Sequence, residues 1–325
     1  MKKIFRIFII LSITVLFTSC GQEATTYEAK EALSKHLIER YGEEFEIGYM
    51  GRRSDGKEVW YEAEIYPSKY VGTPKERDKY YKESGTVNIK KGIFGEKLGK
   101  AGDTYGIVKV NESAEEFYGK KLKELFGDNV LQVYDIWFNR ILENYSFENI
   151  IKVSDEERTA LIIKGGIYIF GRVENDEDRE WYRKQIYEFI QFMKETGTFE
   201  YVDLNFTISD ERVLSYKFQE NKELKEKIMK MRKKANNYSA FFRKRNELMK
   251  KIDGNKITQK EREEILNNIN RGNFSSKNFP EFSGGNTIFY KKLYSPKYIE
   301  SHNLKDKEKI EYNTLEEMQF TWEIF

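Results

Sequence analysis

Cysteine and histidine are nearly absent from this chain of 325 residues, in which only Cys20, His36 and His302 occur. A single cysteine supplies no disulfide framework, so the core must be held by packing, for which the 15 % of aromatic residues provide material. Zinc sites need several nitrogen or sulfur ligands, which this set does not provide. The same scarcity argues against a histidine-dependent Ser or Cys triad, and His36 is predicted to pack or to form hydrogen bonds on the inner face of a helix.

Long apolar runs are also missing after residue 17, so no later segment is predicted to cross a membrane. Charged residues make up 34 % of the chain, yet the formal net charge is only +2. Without the three N-terminal cations, Lys2, Lys3 and Arg6, the charge becomes −1. This balance gives no indication of a nucleic-acid partner.

The first twenty residues contain the one long apolar segment. The three cations accompany an almost wholly apolar run over residues 4–17, which is shorter than the roughly 20 residues that a membrane-spanning helix needs. Small residues follow at positions 18–20. A cationic start, an apolar stretch and small closing residues are the parts of a secretory signal peptide.

The closing residues resemble the lipobox of bacterial lipoprotein precursors, which has an aliphatic residue at −3, small residues at −2 and −1, and an invariant cysteine. Here Phe17 and two small residues precede Cys20, and Phe17 departs from the usual leucine. The resemblance implies a signal peptide over residues 1–19, acylation of Cys20, and an extracytoplasmic protein anchored by lipid to a membrane of the cell envelope. Gly21 favours the outer membrane in a host that has one. An ordinary signal peptide with a chance cysteine, or a short membrane helix, remains an alternative.

The mature chain is predicted to have an α+β fold, in which two helix-plus-antiparallel-sheet units precede a mostly helical C-terminal region. We expect the first unit over residues 20–126, the second over 127–219, and the basic helical region with the C-terminal tail over 220–325. The length after the signal is ample for one to three domains.

The first unit is predicted to begin with a helix that starts at a capping box of Thr25 and Glu28 and ends at Gly42. Alternating and β-branched stretches predict the elements that follow. These are a hairpin of strands over residues 45–50 and 59–66, further strands over 86–90 and 104–110, and a closing helix over 114–126.

The second unit is predicted to open with a helix over residues 130–144, because Val133, Ile136 and Trp137 recur at helical spacing. The elements expected after it are strands over 161–164 and 167–170 around Gly165 and Gly166, a helix over 179–196 with Trp181 facing inward, and a hairpin of strands over 199–208 and 213–218.

The two units share one order of elements. In each, a helix stops at a glycine, Gly42 or Gly197, and a strand, a Ser-Asp turn and a returning strand follow. An internal duplication explains this order; the alternative is that the order is common among unrelated proteins, since the gap lengths differ between the two copies.

Apolar residues over 224–252 keep a heptad-like spacing that is broken at Arg245. The pattern predicts either one helix or two helices divided at Asn236 and Asn237. The elements expected after it are a helix that starts at a capping box of Thr258 and Glu261 and stops at Gly272, and strands over 287–293 and 318–325.

Three further patterns are explained better by local structure than by a ligand. The glycines between residues 92 and 102 lack the spacing of a phosphate-binding loop and predict a hairpin. The acidic residues over 174–178 are suited to calcium, but they also stabilise the start of a helix. Residues 251–264 lack the side-chain ligands of an EF-hand and predict a turn followed by a capping box.

A dense basic segment is the candidate interaction surface. Residues 227–251 contain ten Lys or Arg and one Glu, whereas residues 20–219 carry 38 acidic and 30 basic side chains. A basic amphipathic helix binds anionic lipid or a polyanion; the alternatives are a solvated face or docking on the protein's own acidic part. The candidate polyanion-binding residues are Lys230, Arg232, Lys233, Lys234, Arg243, Lys244 and Arg245.

The sequence predicts no catalytic motif, no metal site and no cofactor. The predicted function is a non-enzymatic binding or interaction protein of the cell envelope, whose partners are the membrane, through the lipid anchor, and an envelope protein or an anionic polymer. The alternative is a carboxylate-dependent hydrolase of envelope glycan or peptidoglycan. With 54 acidic residues in the chain, the sequence singles out no carboxylate pair for that reaction.

Overall fold

The computed structural model describes residues 23–92, 95–139, 144–157, 161–252, 257–273 and 287–318. The predicted signal peptide with Cys20 lies outside the described residues, as does nearly all of the strand predicted over 318–325. The chain divides into two compact units, Met1–Tyr105 and Gly106–Phe325. Helices and antiparallel strands occur in both, which confirms the mixed α+β class.

The first unit combines one helix with a five-stranded antiparallel sheet. Helix α1 (Thr26–Tyr41) packs against the two strands that form the last hairpin of the sheet. The strands are β1 (Phe45–Ile47), β2 (Gly51–Ser54), β3 (Val59–Pro67), β4 (Glu83–Gly92) and β5 (Gly95–Asp103).

Both ends of α1 form as the sequence predicts. The Thr25 side chain accepts a hydrogen bond from the backbone N–H of Glu28, and the Glu28 carboxylate accepts one from the Thr25 backbone in return. Gly42 ends the helix with a φ of 67°, a left-handed conformation that costs glycine little. The hairpin β2–β3 confirms a turn before the strand predicted over residues 59–66. Residues 95–103, which the sequence predicts to connect two strands, themselves form β5 and pair with β4.

The prediction of a strand over residues 104–110 is wrong. Helix α2 (Gly106–Phe126) already begins there and belongs to the second unit. Val108 and Val110 are β-branched and favour strands in isolation, but both are buried in the helix. Burial outweighs local propensity at this position.

The second unit contains a four-stranded sheet with the order β6-β7-β8-β9. The strands are β6 (Val130–Phe138), β7 (Leu161–Gly171), β8 (Val202–Asp210) and β9 (Thr287–Tyr294). The outer pairs are antiparallel, whereas β7 and β8 are parallel and are joined through a helix, as parallel strands require. The helices after α2 are α3 (Phe147–Glu157), α4 (Asp176–Glu195), α5 (Tyr216–Gln219), α6 (Lys222–Lys233), α7 (Tyr238–Met249), α8 (Gln259–Asn267) and α9 (Pro296–Ser301).

The prediction of a helix over residues 130–144 is wrong, because residues 130–138 form β6. The strand buries side chains on both faces, with Val133 on one and Tyr134 and Ile136 on the other. A strand covered on both faces loses the alternation of apolar and polar residues, and its pattern then resembles that of a helix.

The second hairpin of this unit is also wrongly predicted. After Asp210 the chain enters a 3-10 helix, Glu211–Leu214, and then α5, so no returning strand follows β8 there. The partner of β8 on that side is β9, which comes much later in the chain. Residues 199–218 therefore do not repeat the strand, turn and returning strand of the first unit, and the structure does not support an internal duplication.

The core of the second unit lies between one face of the sheet and helices α2, α3 and α4. Tyr118, Phe147 and Phe189 from these helices pack within the same cluster as the sheet residues. The inner face of α4 matches the prediction at Ile186 and its apolar neighbours, but Trp181 is 45 % exposed and does not face inward.

The basic region forms two helices, α6 and α7, which settles the alternative left by the sequence. Asn237 caps α7 by accepting a hydrogen bond from the backbone N–H of Ala240. The predicted capping box of Thr258 and Glu261 starts α8, although α8 ends before Gly272. Among the described residues, no helix has the length and apolar character needed to cross a bilayer.

Candidate functional site

Helices α6 and α7 enclose a groove of about 830 Å³, which we call the basic groove. Its base is apolar and includes Met231, Ala235 and Phe241. Cationic and acidic side chains line the remainder. They are Lys227, Lys230, Lys234 and Lys244 on one hand and Glu223 and Glu226 on the other.

The amphipathic pattern of α6 places these lysines. Leu224 and Ile228 are buried, and Asn221 caps the helix by accepting a hydrogen bond from the backbone N–H of Leu224. Lys227 and Lys230 therefore fall on the solvent-facing part of the helix. Lys230 forms an exposed ion pair with Glu226 of the same helix, at 3.1 Å.

The predicted polyanion-binding residues separate into three groups in the structure. Lys230, Lys234 and Lys244 line the basic groove, and Lys233 and Arg243 are exposed close by in sequence. Arg232 is partly buried. Arg245 is only 1 % exposed, so it does not belong to an accessible basic surface.

Arg245 instead forms a buried ion pair with the end of strand β8. Its Nη2 atom donates to Asp210 Oδ2 at 2.7 Å, and Arg212 donates from Nε and Nη2 to the same carboxylate at 2.8 and 2.6 Å. Two guanidinium groups thus share one carboxylate away from water. This contact explains the break in the heptad-like spacing, because the heptad position at 245 faces a carboxylate in the interior.

Burial and the neighbouring charges shift the pKa values of Asp210 and Arg245. Burial alone raises the pKa of Asp210, but the hydrogen bond from Arg212 and the charge of Arg245 outweigh it and lower the pKa below the ordinary value. Burial lowers the pKa of Arg245, and the charge of Asp210 opposes that shift. The three side chains occupy the carboxyl end of β8, a position at which ligands of open α/β sheets commonly bind. Here that position is taken by side chains that bind one another.

A second cavity of about 680 Å³ lies at the opposite, amino-terminal ends of β7 and β8, and we call it the aromatic cleft. It is built from the end of β6, the first residues of β7, helices α3 and α9, and the 3-10 helix before β8. The side chains used below are Trp137, Asp155, Glu200, Tyr201, Lys297, Tyr298, Ser301 and His302.

The polar groups of the aromatic cleft form two short contacts. The Tyr201 hydroxyl donates to Asp155 Oδ1 at 2.5 Å, and burial together with this bond raises the pKa of Tyr201. Lys297 lies 2.7 Å from Glu200 and 4.6 Å from the centre of the Tyr201 ring. Burial lowers the pKa of Lys297, but the hydrogen bond to Glu200 and the interactions with Tyr201 together outweigh it and raise the pKa overall.

One wall of the aromatic cleft is a stack of rings. Tyr298 and His302 lie 3.9 Å apart with an interplanar angle of 17°, and Tyr294 stacks on Tyr298 at 5.8 Å. The Tyr298 hydroxyl donates to Asp203 at 3.1 Å; burial and the charge of Asp203 raise its pKa to about 12. The wall thus combines two ring contacts with one side-chain hydrogen bond.

In the first unit, His36 forms hydrogen bonds as the sequence predicts. Its Nε2 atom lies 2.8 Å from Asp103, whose side chain is fully buried and also accepts from Arg40 at 2.9 Å and from Tyr41 at 2.6 Å. The cluster ties the end of α1 to the end of β5. Among the described residues, no three His, Cys, Asp or Glu side chains are grouped in a way that would hold a metal ion.

The acidic segment over 174–178 stabilises the start of α4. Asn175 is the N-cap, and Asp176, Glu177 and Asp178 occupy the first turn, where the helix dipole favours negative charge. Gly92 and Gly95 pair across the β4–β5 hairpin, and Gly99 and Gly102 lie within β5.

No protein-family model, no curated protein and no solved structure matches the chain. The arrangement of its side chains therefore carries the functional argument. The basic groove follows from residues close together in sequence. The aromatic cleft combines Trp137 with residues as distant as His302, and no sequence pattern joins them.

Proposed function

We propose that the protein is a lipid-anchored, extracytoplasmic binding protein of the bacterial cell envelope that holds an anionic polymer in the basic groove. The observation that carries this proposal is the convergence of Lys227, Lys230, Lys234 and Lys244 on one groove. The anchor rests on the sequence of residues 1–20 and its resemblance to a lipobox.

The pairing of these lysines favours an external partner over the protein's own acidic part. Among the described residues, Lys227, Lys234 and Lys244 form no ion pair, and Lys230 pairs only within its own helix. Their charge is thus available to a ligand. Exposed charges attract a polyanion over roughly 10 Å at moderate salt, and this attraction weakens as salt is added.

The binding test uses detergent-solubilised full-length protein with inorganic polyphosphate and with poly-glutamate as probes. We expect salt-sensitive binding of at least one probe, and its loss when the four groove lysines are replaced by Gln. The matched control replaces four exposed lysines elsewhere in the unit, Lys120, Lys123, Lys152 and Lys184, and removes the same charge.

Each outcome of this test has a clear meaning. Equal losses in the two variants indicate non-specific charge attraction and contradict a groove. Binding only to vesicles that contain phosphatidylglycerol, with neither polymer bound, replaces the polymer by the membrane surface. Binding that is insensitive to salt contradicts the electrostatic basis of the proposal.

The anchor has a separate test in the host cell. We expect the mature protein to carry a diacylglycerol-sized increase in mass and to fractionate with membranes, and a Cys20→Ser variant to lose both properties. Two or three acyl chains give stable anchoring, whereas one is marginal. Identical mass and fractionation of the two forms would contradict lipidation.

A second candidate function is carboxylate-dependent hydrolysis of envelope glycan. It is favoured by one observation, namely that Asp155 and Glu200 line the same cavity. Glycan-cleaving enzymes place an acid and a second carboxylate on either side of the scissile bond. Turnover of an envelope glycan by the wild type, abolished by Asp155→Asn, would support this function, and absence of turnover at saturating glycan would remove it.

A further inference from the structure

We infer that the aromatic cleft binds an uncharged pyranose ring of a glycan, with Trp137 as the platform on which the ring stacks. This site is separate from the basic groove and does not depend on an anionic ligand or on hydrolysis. It rests on the volume of the cleft, the exposure of Trp137, and the kinds of polar groups around it.

The size and position of the cleft suit a small ring-shaped ligand. Its volume of about 680 Å³ falls within the range of roughly 300–1,000 Å³ that is usual for small-molecule sites. The stack of Tyr298 on His302 forms one wall, so these two rings are already in contact with each other before a ligand enters. Preorganisation of this kind favours binding of a weakly interacting ligand.

Trp137 contributes a large apolar surface to the lining of the cleft, beside the polar groups. The side chain is 49 % exposed at the end of β6, next to Ile162 of β7 in the register of the sheet. One face of a pyranose ring carries mainly C–H groups, and such a face stacks on an aromatic ring and removes apolar surface from water. The edge of the same ring carries hydroxyl groups that need hydrogen-bond partners.

The cleft offers both kinds of partner for those hydroxyls. Asp155 accepts one hydrogen bond from Tyr201, and a carboxylate has about four acceptor positions. Glu200 adds a second carboxylate, and the Lys297 ammonium group, which has three donors and uses one on Glu200, adds donors. Hydroxyl groups both donate and accept, so this mixed set matches a polyol better than it matches a group with a single polarity.

The charged side chains of the cleft disfavour anionic polymers and cationic amines as ligands. The two carboxylates of the cleft outnumber its one ammonium group, and this excess of negative charge disfavours the anionic polymer proposed for the basic groove. A cationic amine binds best where a carboxylate lies beside the face of an aromatic ring. Lys297 already occupies that position, because it lies beside Glu200 and over the Tyr201 ring.

The test measures binding of neutral tetrasaccharides of β-1,4-linked glucose and of β-1,4-linked N-acetylglucosamine to the detergent-solubilised full-length protein, by calorimetry. We expect at least one of them to bind, Trp137→Ala to weaken it at least tenfold, and Trp137→Phe to retain part of the affinity because the ring remains. Asp155→Asn, which keeps the shape and removes the charge, is expected to weaken binding severalfold. The matched control is Trp181→Ala, since Trp181 is 45 % exposed and lies outside the cleft.

Failure of this inference is distinguishable from failure of the proposed function. No binding of either tetrasaccharide, or equal affinity of wild type and Trp137→Ala, overturns the pyranose site. Equal losses in the Trp137 and Trp181 variants overturn it as well. The variant without the four groove lysines is expected to bind tetrasaccharide normally, and Trp137→Ala is expected to bind polyphosphate as the wild type does. A joint loss of both activities in either variant contradicts two independent sites.

Discussion

Arg245 Nη2 lies 2.7 Å from Asp210 Oδ2, and this contact joins helix α7 to the end of strand β8. Both side chains are withdrawn from water, at 1 % exposure each. Helix α7 is therefore positioned by an internal ion pair, and its remaining cations, Arg243 and Lys244, are left in solvent. Arg245, which the sequence predicts to be part of the basic surface, is buried and helps to position the helix that carries this surface.

Asp210→Ala is expected to destabilise the protein far more than Arg245→Met does. Loss of the carboxylate leaves two buried guanidinium groups uncompensated, which costs about 3–5 kcal/mol in the free energy of unfolding. Arg245→Met keeps the bulk of the side chain and leaves the pair of Asp210 with Arg212, so we expect a loss of about 1–2 kcal/mol. Urea unfolding followed by circular dichroism measures both. An Arg245→Met variant as unstable as Asp210→Ala would contradict the shared-carboxylate account.

The same carboxylate predicts a pH dependence of stability. The pKa of Asp210 is lowered in the folded protein, so its contribution is fully present above the unfolded-state pKa of about 3.9 and is lost as the pH falls through the folded-state pKa. The difference in unfolding free energy between wild type and Asp210→Asn should thus be constant above about pH 5 and shrink below about pH 4. Urea titrations from neutral to acidic pH test this. A difference that stays constant or widens on acidification contradicts it, and Glu156→Gln serves as the exposed control.

Asp103 is expected to be the most sensitive single position of the first unit. Asp103→Ala would remove the buried carboxylate that is shared by His36, Arg40 and Tyr41, for a loss of about 3 kcal/mol. Lys35→Ala on the same helix removes only the exposed pair with Glu39 and should change stability by less than about 0.5 kcal/mol. Thermal unfolding of both variants measures these two losses of stability. Equal effects would show that the Asp103 cluster contributes no more than a surface ion pair.

Local signals in the sequence predicted local structure well. The capping boxes at Thr25 and Thr258 and the glycine end of α1 depend on residues within a few positions of each other, and all are confirmed. For the basic segment the sequence left one helix or two open, and the structure has two. The basic groove follows for the same reason, because its lysines lie on two consecutive helices.

Non-local pairing is what the sequence did not reveal. Strand β6 has a helix-like pattern because it buries residues on both faces, with Val133 on one and Tyr134 and Ile136 on the other. Strand β8 pairs with β7 and with the distant β9. The mispredicted hairpin after β8 has the same origin, since turn-like residues at Ser209 and Asp210 lead into a helix. The aromatic cleft depends on those pairings, so it became recognisable only once β6, β7 and β8 were placed side by side.

Gly165 offers a direct test of the pairing between β6 and β7. It lies opposite Tyr134, and a Cβ atom there would be 2.7 Å from both Tyr134 Cδ1 and the carbonyl oxygen of Val133. A backbone oxygen in the β6–β7 ladder cannot move aside without disturbing the pairing of the strands, so Gly165→Ala is expected to lower the unfolding free energy by about 1–3 kcal/mol. Gly102→Ala is the control, because its nearest neighbour is the Thr86 hydroxyl at 3.7 Å and the change should be tolerated. If urea unfolding shows Gly165→Ala to be as stable as the control, residues 165 and 134 are not paired, and the glycine marks a break between two shorter strands.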